Sequence, residues 1–229
     1  MPKKRVRPVN KERERMLKIN PNSLEFKEIK AKLSPRLRAG WHIFENIRHI
    51  HTLQLDRDFF SSLKPNTKVL EIGAGTGRLA DYLLKNSKLR PENYEIMDKR
   101  YGEKEMPFLR KKIFLLMKKR RIKVTKANMW EHGFKKNAYN HILIPEGFFA
   151  SSEITKKMWK PGMSTSARDE LLIETVTGLV GKLGRALKQN GTLRISYIWP
   201  EILEEIEKRN LFHGFKVTIK TTSIILQKV

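Results

Sequence analysis

Apolar positions along the chain alternate between two spacings. "TKVLEIG" (67–73), "NYEIMD" (93–98), "IKVTKA" (122–127) and "YNHILIP" (139–145) are short apolar runs of the kind that form buried strands. Between the first two, "GRLADYLLKN" (77–86) has helical spacing. "MPFLRKKIFLLMKKRRIK" (106–123) sets Leu109, Ile113, Leu116 and Met117 on one face of an amphipathic helix. A further helix is predicted over 167–188, with Leu172, Val176, Leu179, Val180, Leu183 and Leu187 as its stripe and Asn190-Gly191 as its stop. "TLRISYIW" (192–199) reads as a strand, "EILEEIEKR" (201–209) as a helix, and "FKVTIKTTSIILQKV" (215–229) as a closing hairpin. Upstream, "SLEFKEIKAKL" (23–33) and "WHIFENIRHIHTL" (41–53) are helical, and Ser23 caps the first. No internal repeat is present. Strands alternating with helices predict an α/β fold, its parallel sheet covered on both faces, with an antiparallel element at the end.

The pattern divides the chain into a flexible basic arm (1–20), a helical segment (21–64) and a main domain (65–229). Cysteine is absent, which excludes a disulfide framework, a thiolate metal site and a cysteine nucleophile. The six histidines are scattered, so no metal centre is expected. No apolar run approaches a membrane span or the core of a secretory signal, so the expectation is a soluble intracellular protein without a membrane partner, with the monomer favoured. Cytoplasm or organelle matrix is the expected compartment, with the nucleus as the alternative that "PKKRVR" raises.

Charge changes this picture. The 229 residues carry 48 Lys and Arg against 24 Asp and Glu, a formal net charge of +24. Residues 1–38 contribute +9 and residues 99–126 contribute +10, so the excess is a patch and not a coat. A patch of this kind predicts a polyanionic partner, most simply nucleic acid. The candidate phosphate-binding side chains are Lys3, Lys4, Arg5 and Arg7 in the arm and Lys111, Lys112, Lys118, Lys119, Arg120 and Arg121 in the second cluster. A solvated helix face is the competing reading for the second group.

Glycine occupies every second position of "VLEIGAGTGRLADYLL" (69–84), at Gly73, Gly75 and Gly77, directly after the first predicted strand. In such sheets ligands bind beyond the carboxyl ends of the strands, and a turn there that lets a ligand approach the backbone favours glycine. A dinucleotide fingerprint needs its third glycine one position later, where Arg78 stands, and the Lys-Ser/Thr of a P-loop is missing.

With Glu71 in front, the stretch reads E-x-G-x-G-x-G and resembles motif I of the class I S-adenosylmethionine-dependent methyltransferases. It is closest to that of the rRNA adenine dimethyltransferase branch. The resemblance extends over 65–229 and includes "LKQNGTLRIS" before the fifth strand. It implies a Rossmann-like doubly wound, mostly parallel seven-stranded sheet with an antiparallel C-terminal strand, and S-adenosylmethionine as cofactor. Glu71 and the glycine backbone would hold the methionine portion, and Asp98, 21 residues after Gly77, would accept from both ribose hydroxyls. Asn128 stands where the family often has an Asp facing the adenine amine, with a helix-capping role as the alternative. Lys99 replaces an apolar residue that often packs on adenine, a task Met129 would take.

After the fourth strand the family's amino methyltransferases carry Asn/Asp-Pro-Pro-Tyr or Asn-Leu-Pro-Tyr. Here the stretch is "IPEGFF": Pro145 is kept, Ile144 replaces the polar residue, and Glu146 follows. Pro145 and Glu146 are the only candidates for a catalytic role, so adenine N6 chemistry is not expected. Phe148, Phe149 and Trp159 are candidates for the target pocket, with burial in the core as the competing reading for the two phenylalanines. The leading expectation is a methyltransferase acting on RNA, ribosomal or transfer, with the ribosome or its precursor as partner. The alternatives are a non-catalytic RNA- or ribosome-binding protein on the same fold, and a protein or DNA methyltransferase.

Overall fold

The structure is a computed structural model that describes residues 53–75, 77–102, 117–145, 162–196, 200–220 and 223–229, together with 115 and 198. All belong to the compact unit Arg48–Val229. The helices expected at 23–33 and 41–53 lie outside the described residues, apart from Leu53, as do 103–114 and 116 of the basic helix.

Seven strands form one sheet: β1 (Val69–Ile72), β2 (Tyr94–Met97), β3 (Lys123–Thr125), β4 (Tyr139–Ile144), β5 (Leu187–Ser196), β6 (Phe215–Lys220) and β7 (Ser223–Lys228). Their order is β3-β2-β1-β4-β5-β7-β6, with β1 to β5 parallel and β7 antiparallel to both β5 and β6. The expected fold class is therefore the observed one. Among the described residues the sheet is accompanied by the α-helices α1 (Arg57–Ser62), α2 (Arg78–Asn86), α3 (Thr165–Ala186) and α4 (Pro200–Lys208).

Strand side chains alternate between two cores. Leu70 and Ile72 of β1 join Ile142, Ile144, Leu193 and Ile195 against the α3 stripe (Leu172, Val176, Leu179, Val180, Leu183) and Ile202 and Ile206 of α4. Val69 turns the other way and joins Tyr94, Ile96 and Leu143 against Phe59 of α1 and Leu79 and Leu83 of α2. A strand buried on both faces reads as a near-continuous apolar run, interrupted in "VLEI" by the buried Glu71 and in "HILI" by the buried His141.

The α3 boundary differs from the expectation. The helix runs from an N-cap Ser164, whose Oγ accepts from the Ala167 amide at 3.2 Å, to Ala186, and Leu187 already pairs with Tyr139 in the sheet. Asn190-Gly191 does not stop the helix; it forms an irregularity within β5, where Asn190 takes φ +61° and the register shifts between Tyr139 and His141. A Cβ on Gly191 would stand 2.9 Å from the Lys188 carbonyl oxygen and 3.0 Å from that of Asn140, so its own strand and the neighbouring one together demand glycine here.

A polar cluster seats α1 on the sheet. The Ser62 hydroxyl donates to the Phe59 carbonyl at 2.6 Å, so His141 Nε2–H, at 3.1 Å, is the donor to Ser62 Oγ. That leaves His141 Nδ1 to accept from Thr192 Oγ1 at 2.8 Å. Burial, with Arg194 nearby, pushes the imidazole down to about 4. Because its folded value lies below the ordinary histidine value, protons bind the unfolded chain first and destabilise the fold. Stability should thus be full above pH ~6.5 and fall by about 3 kcal/mol as the pH drops towards ~4. Urea unfolding at a series of pH values should show this loss in the parent and not in His141→Gln. An identical pH profile in both proteins would contradict the assignment.

Candidate functional site

The three glycines of the first motif are required by the backbone. Gly73, Gly75 and Gly77 all take positive φ, at +74°, +51° and +70°. L-residues reach this left-handed region only at a cost, and glycine reaches it freely. The loop closes between β1 and α2, and Gly77 is the N-cap of α2. The Gly77 amide donates to the Ala74 carbonyl at 2.7 Å, and the Asp81 amide returns to the Gly77 carbonyl at 3.1 Å.

The loop is held from β2. Gly73 and Ala74 both donate to the Met97 carbonyl, at 2.8 and 3.2 Å. One residue later, Asp98 Oδ2 accepts from the Gly75 amide at 2.9 Å. Asp98 is only 5% exposed, and its own amide donates to the Thr125 carbonyl of β3 at 3.3 Å. The acid that the sequence pairs with the glycines is thus bonded to the middle one. The sheet brings the carboxyl ends of β1, β2 and β3 together at this point.

Glu71 is buried on the α2 side of β1, where its carboxylate accepts from the Tyr94 hydroxyl at 2.9 Å. Burial, reinforced by Glu71, pushes the Tyr94 phenol well above its usual value, so the hydroxyl remains a donor. Asn128 follows β3 and shapes its own turn: its Oδ1 accepts from the Trp130 amide at 3.2 Å, and its Nδ2 donates to Glu131 at 3.3 Å. Met129 is half-buried against the α3 core, and its carbonyl accepts from Lys182 Nζ at 3.2 Å.

At the carboxyl end of β4, Pro145 is buried. The hydroxyl of Ser196, fully buried at the end of β5, bonds the carbonyls of both Ile144 and Pro145. Ser196 is not among the sequence candidates, although a lone serine inside the predicted strand "TLRISYIW" is the signal that could find it. The sequence pattern places Met117 only in the core. It is buried, but its Cγ lies 3.2 Å from where a Cβ on Gly77 would stand, which joins the basic segment to the glycine loop.

Lys118, Lys119, Arg120 and Arg121 are exposed. Lys3, Lys4, Arg5, Arg7, Lys111, Lys112, Glu146, Phe148, Phe149 and Trp159 lie outside the described residues. Among the described residues no group of acidic, histidine or cysteine side chains could hold a metal ion, and no helix is long and apolar enough to cross a membrane.

No protein-family model matches the chain, and no curated protein matches it. Among solved structures, it resembles a chain described as an exported protein of Bordetella parapertussis, with a TM-score of 0.51 and 14% identity over 97% of this chain and 80% of that one. It is also similar to one described as an S-adenosyl-L-methionine-dependent methyltransferase of Methanococcus maripaludis, with a TM-score of 0.44 and 15% identity over 80% of this chain and 93% of that one. A third comes from the complex between the Haloferax volcanii Trm112 methyltransferase activator and a methyltransferase, with a TM-score of 0.49 and 14% identity over 83% and 93% of the two chains. At these identities the likeness is one of fold.

The glycine geometry makes a graded prediction. Gly73→Ala should cost about 1–2 kcal/mol from backbone conformation alone, because no atom lies near its Cβ position. Gly77→Ala should cost more, because Met117 must also move. Adding Met117→Ala should shrink the difference between the two alanine variants' penalties, as read by thermal unfolding. Equal penalties for the two glycines would show that Met117 does not press on the loop.

Proposed function

We propose that the chain is an S-adenosylmethionine-dependent methyltransferase acting on RNA, ribosomal or transfer RNA being the class expected. The observation that carries the cofactor reading is the Asp98–Gly75 bond, which joins the two halves of the motif at the carboxyl edge of the sheet. The residues present fit that cofactor. Among the described residues no atom comes within 4 Å of a Cβ on Gly73, which leaves the loop backbone there room for a ligand. A carboxylate presents two acceptor oxygens side by side, a shape that suits two vicinal ribose hydroxyls.

On this reading the glycine backbone and Glu71 hold the methionine portion, Asp98 the ribose, and Asn128 and Met129 the adenine. When bound, the cofactor supplies a methyl group already activated on a sulfonium. Alignment of the target atom is then the main task left to the protein. The RNA part of the reading rests on the +10 carried by residues 99–126, next in sequence to Asp98. Closeness to the rRNA adenine dimethyltransferase branch rests on motif I alone.

A second reading, a non-catalytic RNA-binding protein on the same fold, is favoured by one observation. The carbonyls at the end of β4, which amino methyltransferases use to grip their target, already accept from Ser196 here. Calorimetric titration with S-adenosylmethionine tests the cofactor claim. The parent should bind, and Asp98→Ala should bind more weakly by about 1.5–3 kcal/mol, the worth of a hydrogen bond to a charged group. Absence of binding at millimolar cofactor would overturn the proposal. Mass mapping of RNA from a deletion strain would then separate the two readings: a lost methyl group supports the enzyme, and an unchanged map supports the binding protein.

A further inference from the structure

Four cations stand in a row at Lys118–Arg121, in the last helical residues and the turn that leads to β3, and all are exposed. They are not equivalent. Arg120 Nη1 donates to Asp81 in the first turn of α2, and Asp81 also takes Lys85 Nζ at 2.6 Å. Three residues after Arg120, Lys123 Nζ donates to the buried carboxylate of Glu95 at 2.9 Å. Among the described residues no carboxylate meets Lys118, Lys119 or Arg121. The acids near this segment are thus engaged by Arg120 and Lys123, and three cations between and beside them stay unopposed.

The turn that carries them is tightly built. The amides of Arg120 and Ile122 both donate to the Met117 carbonyl, at 3.1 and 3.2 Å, and the Arg121 amide donates to Lys118 at 3.1 Å. Arg121 takes φ +65°, a conformation that arginine rarely adopts. At the base of the turn the Met117 side chain packs against Gly77 of the glycine loop. A surface that serves only solubility interleaves both signs of charge, whereas concentrated unopposed cations on a fixed turn suit the phosphates of a nucleic-acid backbone.

We propose that Lys118, Lys119 and Arg121 form a phosphate-binding tip for the RNA substrate, and that Arg120 and Lys123 are struts that fix this tip. The proposal rests on the RNA reading of the preceding subsection and adds which cations contact the backbone. Through Met117 and Gly77, a strand held at the tip lies beside the loop assigned to the methyl donor. Arg120, the cation that sequence alone groups with the others, belongs to the protein's own framework.

The test is a salt titration of binding to a short RNA hairpin, using the full chain. Replacing Lys118, Lys119 and Arg121 together by Gln should lower the slope of log affinity against log salt by ~2 to 3, each phosphate contact contributing about 0.7–0.9. Arg120→Gln should leave the slope unchanged, because its guanidinium is held by Asp81. An unchanged slope in the triple variant, or an equal loss of slope per residue in Arg120→Gln, would overturn the tip. Failure of the parent to bind the hairpin would overturn both the tip and the RNA reading. If the slopes behave as stated while calorimetry detects no S-adenosylmethionine binding, the tip stands and the methyltransferase reading falls.

Discussion

The carboxyl end of β2 governs the whole site. Within two residues it supplies the Met97 carbonyl, which takes the amides of Gly73 and Ala74, and the Asp98 carboxylate, which takes the amide of Gly75. A glycine-rich turn left alone would be an entropic burden, since glycine loses more conformational freedom on folding than any other residue. Three bonds from the neighbouring strand offset that loss and fix the loop in one shape. The same bonds bring a carboxylate to a loop that opens outward at Gly73. The parallel pairing of β1 with β2 is what makes this meeting possible, because it puts both carboxyl ends on one edge.

A second layer of constraint comes from the basic segment. Met117 closes the loop at Gly77, and Arg120 pairs with Asp81 one helical turn into α2. The segment richest in positive charge is therefore anchored to the glycine loop by one apolar contact and one ion pair. An ion pair this exposed contributes little stability by itself, so the buried Met117 side chain is the main anchor. In the proposed function this packing gives RNA and cofactor neighbouring positions.

Much of this was legible in the sequence because it depends on local periodicity. The apolar runs at 69–72, 94–97 and 139–144 are strands, and the stripe from Leu172 to Leu183 is the buried face of α3. The glycines and Asp98 were legible because the residue types that the loop demands are rare elsewhere. What was hidden depends on contacts far apart in the chain. Asn190-Gly191 has the composition of a helix stop, yet its glycine answers to the Asn140 carbonyl of the adjacent strand as well as to the nearby Lys188 carbonyl. Arg120 looks like its neighbours until Asp81, 39 residues earlier, is brought beside it. Ser196 likewise gains its meaning only when β4 and β5 pair and bring it to Pro145.

The central claim is that the loop from Gly73 to Gly77, held by Asp98, is a ligand site for an adenosyl cofactor. Its most direct test is the two-dimensional amide spectrum of the isotope-labelled chain, recorded while S-adenosylhomocysteine is added. The account predicts that the amides of Gly73, Gly75, Gly77 and Asp98 shift together in a saturable manner, while those of Gly191 and Gly214, remote in the sheet order, stay in place. A spectrum unchanged at saturating ligand, or shifts confined to β5, β6 and β7, would contradict it.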